Sequence, residues 1–188
     1  MSRAEDFAHA YCRQPAESVL QRAGAVTWLI LDADGVLTDG AIVTGPSGED
    51  IKAFHVHDGK GLALMRSAGI GVAIVTARES QALTARAAEL GIGELRQGVQ
   101  DKATALAELS ATYRVAPDSM AYVGDDIVDL GAMARVGLAI AVADAHPLAA
   151  SRSHWITQRA GGRGAVREAC ELILAARGEL AAIFRNHE

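Results

Sequence analysis

Two carboxylates stand two residues apart where a short apolar run stops: Trp28, Leu29, Ile30 and Leu31 lead into Asp32 and Asp34, and Gly35 breaks the run. Two acids at the end of a buried strand repel each other unless a cation or a proton intervenes. Further on, GVAIV ends in Thr76, Ala77 and Arg78, and Lys102 opens a helical stretch after Asp101. AYVG then runs into Asp125 and Asp126, with Asp129 one helical turn later. Singly these residues have plainer readings. Thr76, Asp125 and Asp126 suit helix N-caps, and Lys102 suits a solvated helix position. Jointly, Asp32, Asp34, Asp125 and Asp126 on one sheet edge ask for a hard cation. Mg²⁺ fits best, because it takes one or two carboxylates and keeps waters that a phosphate displaces.

The chemistry that suits this set is phosphoryl transfer. A carboxylate nucleophile forms an acyl phosphate and splits one hard hydrolysis into two easier steps. Asp32, nearest the strand end, is the candidate nucleophile. Asp34 can protonate the leaving alkoxide and then deprotonate the attacking water. The Thr76 hydroxyl and the Lys102 ammonium can stabilise the transferring oxygens.

The elements that must position these groups alternate. Strands are expected at 71–75, 94–96, 120–123, 138–141 and 155–157, and helices at about two turns over 62–67, then 79–90, 102–113, 127–135 and 164–176. With the run before Asp32, this α/β alternation predicts a parallel sheet flanked by helices. Ligands of such sheets sit beyond the carboxyl ends of the strands, where the candidate residues fall. Segments 41–44 and 51–56, parted by Gly45, Pro46, Ser47 and Gly48, read as a hairpin forming a flap over that edge. Residues 5–23 read as one or two short helical pieces interrupted at Pro15, and the tail after Gly178 as frayed unless a neighbouring subunit holds it.

The chain has 188 residues, half of them hydrophobic and only 4% aromatic. This suits one domain whose core is built from small aliphatic side chains. A formal charge of −5 with no basic run argues against nucleic acid or an anionic membrane surface as partner. No segment reaches the roughly 18 uninterrupted apolar residues of a membrane span, and the N-terminus lacks the apolar core of a signal peptide. Cys12 and Cys170 lie far apart without metal-binding or redox spacing, so both are read as free thiols in a cytoplasmic protein.

LDADGVLTDG, VTAR, Lys102 and GDDIVD resemble, in order and spacing, the four motifs of the haloacid dehalogenase (HAD) phosphohydrolase superfamily. AFHVHDGKG, the QGV before Asp101, AVADAHPL and GGRGAVREAC resemble the 3-deoxy-D-manno-octulosonate 8-phosphate (KDO 8-phosphate) phosphatases, over roughly residues 26–178. The resemblance implies a Rossmann-like three-layer fold with a parallel sheet, a β-hairpin flap at 41–56 and no large cap domain. A helical extension over 1–24 and a tail over 179–188 would flank the phosphatase domain, 25–178.

It further implies Asp32 as nucleophile, Asp34 as general acid/base, and Thr76 and Lys102 orienting the phosphoryl group. Mg²⁺ would be held by Asp32, Asp125 and the main-chain oxygen of Asp34. Substrate-binding candidates are Asp34, His57, Gly59, Arg78, Arg86, Lys102 and Asp126. The implied partners are a small sugar phosphate, on the way to the lipopolysaccharide inner core, and three further copies of the chain. In such a homotetramer the flap and a neighbour's C-terminal tail close the site, and Gly161, Gly162, Arg163 and Gly164 begin that tail region. Two positions depart from the pattern: Ala77 stands where glycine is expected and His57 where arginine or another residue is. Three other readings accompany this one: a phosphatase for a nine-carbon sugar acid phosphate, a phospho-receiver domain, and a catalytically idle tetramerisation module.

Overall fold

The computed structural model describes residues 15–185. Six parallel strands form one sheet in the order β5-β4-β1-β6-β7-β8. They are β1 (Trp28–Leu31), β4 (Gly71–Val75), β5 (Glu94–Arg96), β6 (Met120–Gly124), β7 (Leu138–Ala141) and β8 (Trp155–Ile156). The acidic strand β1 is central, with Leu31 level with Ile74 of β4 on one side and Val123 of β6 on the other.

Alternation along β1 sorts its side chains between two cores. Leu29 and Leu31 join a cluster with Val19 and Leu20 of α1 (Glu17–Gly24), Leu62 and Met65 of α2 (Val56–Ser67), Leu83 of α3 (Gln81–Glu89) and the buried face of α7 (Ala165–Ala176). Ile30 points the other way, into a cluster with Leu106 and Leu109 of α4 (Lys102–Tyr113), Met133 of α5 (Leu130–Met133) and Ala149 of α6 (Pro147–Arg152). Helices therefore cover both sheet faces, and the three-layer α/β architecture is the expected one. Among the described residues no helix is long and apolar enough to cross a membrane.

The flap is an antiparallel hairpin shorter than expected, with β2 (Val43–Thr44) paired to β3 (Asp50–Ile51). Helix α2 starts at Val56, well before the expected 62. The His55 side chain accepts the His57 N–H at 3.3 Å and caps it. Buried Asp58 accepts the Arg167 N–H at 2.8 Å, which docks this first turn on α7. Tertiary contact thus overrides the low helix propensity of Gly59 and Gly61.

The expected helix 127–135 is instead a 3₁₀ turn, Ile127–Asp129, followed by the short α5. Helix α6 was not expected, although Pro147 in its first turn and the capping His146, which accepts the Leu148 N–H at 3.1 Å, are ordinary start signals. The frayed-tail expectation is corrected as well. Residues after Gly178 form α8 (Leu180–Arg185), whose Leu180 is fully buried and whose Ile183 and Phe184 pack on the larger core. Of the expected N-terminal pieces, α1 follows Pro15, while residues 5–14, Cys12 among them, lie outside the described residues. Cys170 is a free, buried thiol.

Candidate active site

Because β1, β4 and β6 are parallel neighbours in register, the residues that follow them emerge side by side. Asp32 continues β1, its N–H reaching Val123 O at 3.0 Å, and Thr76 continues β4, its N–H reaching Arg96 O at 2.9 Å. Asp125 follows β6 directly. Asp101 caps α4 by accepting the Ala103 and Thr104 N–H groups, which sets Lys102 at the helix start facing the strand ends. One pocket is lined by Asp32, Asp34, Thr76, Ala77, Arg78, Lys102, Asp125 and Asp126.

Lys102 is only 3% exposed, so it is not the solvated helix residue its position alone allowed. Its Nζ lies 2.9 Å from Asp32 Oδ2 and 2.7 Å from Asp129 Oδ1. Asp129 is fully buried and saturated. Oδ1 also accepts the Tyr122 hydroxyl at 2.8 Å, and Oδ2 accepts the Asp125 and Asp126 N–H groups at 2.9 and 3.2 Å. Sequence reasoning placed Asp129 one helical turn on but gave it no part in the site. Its three-residue spacing from Asp126, with which it forms a capping box on the turn, is the signal that could have found it.

Burial and the Asp129 charge push Asp32 up to about 6, against the opposing pull of Lys102 and the Ala33 N–H, which donates to Asp32 Oδ1 at 2.7 Å. Burial, Asp32 and Asp129 push Asp125 up to about 7. Burial alone would lower Lys102, but the facing carboxylates outweigh it and hold the ammonium above its ordinary value. Asp32, Asp125 and Asp129 can each direct an oxygen to a common centre, these atoms lying within 4.8 Å of one another. The Asp125 Oδ1 is buried without a hydrogen-bond partner. An orphaned carboxylate oxygen beside a second crowded carboxylate fits a divalent cation. Since the acceptor positions of Asp129 are spent, Asp32 and Asp125 are the side chains able to hold it.

The turn carrying Asp34 closes on Ala33 O, which accepts the Val36, Leu37 and Thr38 N–H groups at 3.3, 2.9 and 3.1 Å. Gly35 adopts φ 86°, and a Cβ there would sit 2.2 Å from Asp125 Oδ2. The segment 160–164 braces this turn through Gly162 N–H, which donates to Val36 O at 2.9 Å, while Gly161 N–H is held by Asp144 Oδ1 at 2.9 Å. Arg163 pairs with Asp39 of its own chain at 3.0 Å.

Asp34 itself is held by Lys52, which sequence reasoning missed, and faced by Arg78, which it named for another role. Lys52, from just beyond β3, donates to Asp34 Oδ1 and lies 3.5 Å from Asp50 Oδ2. Arg78 faces Asp34 Oδ2 at 3.8 Å and Asp50 Oδ1 at 3.9 Å. The flap over this edge was expected, but no local motif shows that Asp50 and Lys52 are the side chains it brings to the strand ends.

Three expected substrate-binding residues do not line the carboxylate pocket. His57 is exposed on the first turn of α2, its ring edge-on to His55 at 4.9 Å. Gly59 and Arg86 face each other in a separate small cavity with Leu37, Phe54, Asp58 and Leu83. A Cβ at position 59 would meet the Arg86 guanidinium at 2.3 Å, and Arg86 pairs with Glu89 at 2.8 Å. Asp126 does line the pocket, and its exposed side chain accepts the Ile127 N–H at 2.7 Å.

Residues 91–168 match the haloacid dehalogenase-like hydrolase family. The chain is 50% identical over 165 residues, 88% of each chain, to the 3-deoxy-D-manno-octulosonate 8-phosphate phosphatase KdsC of Yersinia pestis. Its structure is similar to that of the 3-deoxy-D-manno-octulosonate 8-phosphate phosphatase from Moraxella catarrhalis in complex with magnesium, phosphate and KDO. The TM-score is 0.91 at 38% identity, covering 93% of this chain and 100% of the other. It is also similar to the cobalt-bound deoxy-D-mannose-octulosonate 8-phosphate phosphatase from Haemophilus influenzae, with a TM-score of 0.83 at 40% identity over 86% and 95% of the two chains. The phospho-receiver and idle-module readings give way to this enzymatic kinship. The chain is a phosphoric monoester hydrolase of the HAD superfamily and belongs to the KDO 8-phosphate phosphatase family.

Proposed function

We propose that the chain hydrolyses KDO 8-phosphate to KDO and inorganic phosphate through an aspartyl-phosphate intermediate, a step toward the lipopolysaccharide inner core. The observation that carries this is the seating of Asp32. It is a buried carboxylate at the end of the central strand, fixed by Lys102 and the Ala33 N–H, and close to the orphaned oxygen of Asp125. Asp32, Asp125 and the main-chain oxygen of Asp34 would hold Mg²⁺, which would supply positive charge to the transferring oxygens.

An Asp32 oxygen attacks phosphorus as the bond from phosphorus to the sugar oxygen breaks, and Asp34 gives that oxygen a proton. Asp34 then takes a proton from water as it attacks the acyl phosphate, releasing phosphate and restoring Asp32. Lys102 has three donors and spends two on Asp32 and Asp129, leaving one for a phosphoryl oxygen. The Thr76 hydroxyl, at the end of β4, supplies another donor, and Arg78 is the cation in the pocket suited to the sugar-acid carboxylate.

The same reading includes a cytoplasmic homotetramer with a neighbour's C-terminal tail near the site. Exposed Ile42, Val43, Ile51 and Val56 on the flap and the start of α2 offer an apolar surface for a second copy. Phosphate release should be measured over a panel of sugar phosphates, with and without a chelator. KDO 8-phosphate is expected to give the highest kcat/KM, and a nine-carbon sugar acid phosphate turning over faster would overturn the substrate. Light scattering of the eluting protein reads the tetramer.

A further inference from the structure

Asp32 and Asp34 are positioned in different ways. Asp32 is gripped by a main-chain N–H and a buried lysine of the domain core. Among the described residues, the Asp34 carboxylate accepts no main-chain hydrogen bond. Its one hydrogen-bond donor among the described residues is Lys52, which belongs to the flap. The Lys52 side chain is 4% exposed, less than the 26% of Asp34, so the flap holds this ammonium in a largely dry position against the acid. Asp50 stands behind Lys52, with Oδ2 buried and otherwise without a hydrogen bond, and the same carboxylate faces Arg78. Two carboxylates and two cations therefore alternate in a ring: Asp34, Lys52, Asp50 and Arg78. Two members come from strand ends and two from the flap.

We propose that Lys52 is a positioning residue for the phosphatase reaction, aiming the Asp34 carboxyl group at the leaving oxygen of the substrate. The proposal rests on the assignment of Asp34 as general acid. In that step an Asp32 oxygen bonds to phosphorus and the phosphorus–ester oxygen bond breaks. Its electron pair stays on the ester oxygen, which takes the proton from Asp34. A carboxyl group free to rotate delivers that proton poorly, because proton transfer needs the donor within hydrogen-bond reach of the departing atom. The ring ties this alignment to the flap: with the flap lifted, Asp34 loses its one donor.

The leaving group tests this. An alkoxide needs the proton, whereas p-nitrophenolate departs without it. Lys52→Met and Lys52→Arg are compared with the parent protein in single-turnover ester cleavage, with enzyme in excess and Mg²⁺ present. The substrates are p-nitrophenyl phosphate and an alkyl phosphomonoester that the parent cleaves. Using any such alkyl ester keeps the result separate from the identity of the natural sugar. Lys52→Met is expected to slow alkyl-ester cleavage by about ten- to a hundredfold, a part of the roughly hundred- to ten-thousandfold a general acid contributes. Its p-nitrophenyl rate and steady-state KM should change by less than about threefold, and Lys52→Arg should restore most of the alkyl rate. Equal loss on both esters, as from general damage to the site, would overturn the proposal. So would a rise in KM with the cleavage rate intact, as from a substrate-binding lysine, or failure of the charge-keeping variant to restore the rate. Melting curves confirm that each variant is folded, and the flap lies outside the six-stranded sheet that organises the core.

Discussion

Lys102 Nζ lies 2.7 Å from Asp129 Oδ1 and 2.9 Å from Asp32 Oδ2, so one buried ammonium joins the Asp32 carboxylate to the turn that follows β6. Lys102→Met leaves both carboxylates buried and unpaired. Breaking a buried pair by removing one partner costs about 3–5 kcal/mol. Most of that would be recovered if one acid took up a proton, so the expected outcome is a loss of about 2 kcal/mol in urea unfolding at pH 8 and less at pH 5. Loss of a donor to the transferring oxygens should lower kcat by about a hundred- to a thousandfold.

Asp32→Asn keeps the shape of the side chain and removes the proposed nucleophile. The carboxylate it replaces sits beside Asp125 and Asp129, so its loss relieves repulsion as it removes the Lys102 pair. Activity should fall at least about a thousandfold, while circular dichroism and the melting temperature stay close to those of the parent. Full phosphate release from this variant would remove Asp32 from its role.

Without metal, Asp32 at about 6 and Asp125 at about 7 bind protons more tightly in the folded chain than in the unfolded one. Folding is then favoured by protonation, and the folded chain loses stability as pH rises from about 4 through 7. The melting temperature of chelator-treated protein should therefore fall across that interval. Adding Mg²⁺ should raise it by a few degrees at pH 8 and by much less at pH 5. Asp125→Asn should abolish most of the Mg²⁺-dependent rise.

Gly161 touches the turn that carries Asp34. A Cβ there would lie 1.7 Å from the Gly35 main-chain oxygen, which cannot yield without moving the turn. Gly161→Ala should lower stability by about 1–3 kcal/mol in denaturant unfolding and reduce kcat by more than tenfold. Gly48→Ala, at a flap position where a Cβ meets nothing within 4 Å but φ is 85°, should leave kcat within about threefold of the parent.

Much of this protein is legible along the chain because its signals are local. The run before Asp32, the four strand ends and the capped start of α4 depend on hydrophobic period and turn chemistry, and Asp32, Thr76, Lys102 and Asp125 meet because parallel neighbours bring their carboxyl ends together. The sequence by itself therefore determined the sheet and the carboxylate–lysine core of the site. Tertiary structure alone decided what holds that core and what reaches it. Asp129 is saturated by donors from three elements, and which side chains of the expected flap meet Asp34, here Lys52 with Asp50 behind it, no local pattern encodes. Arg86 and His57, on motifs that suggested substrate contact, are directed elsewhere by the packing of α2 and α3. The physical reason is the same throughout: backbone propensity and period act within a few residues, whereas a buried charge settles wherever the whole fold supplies its partner.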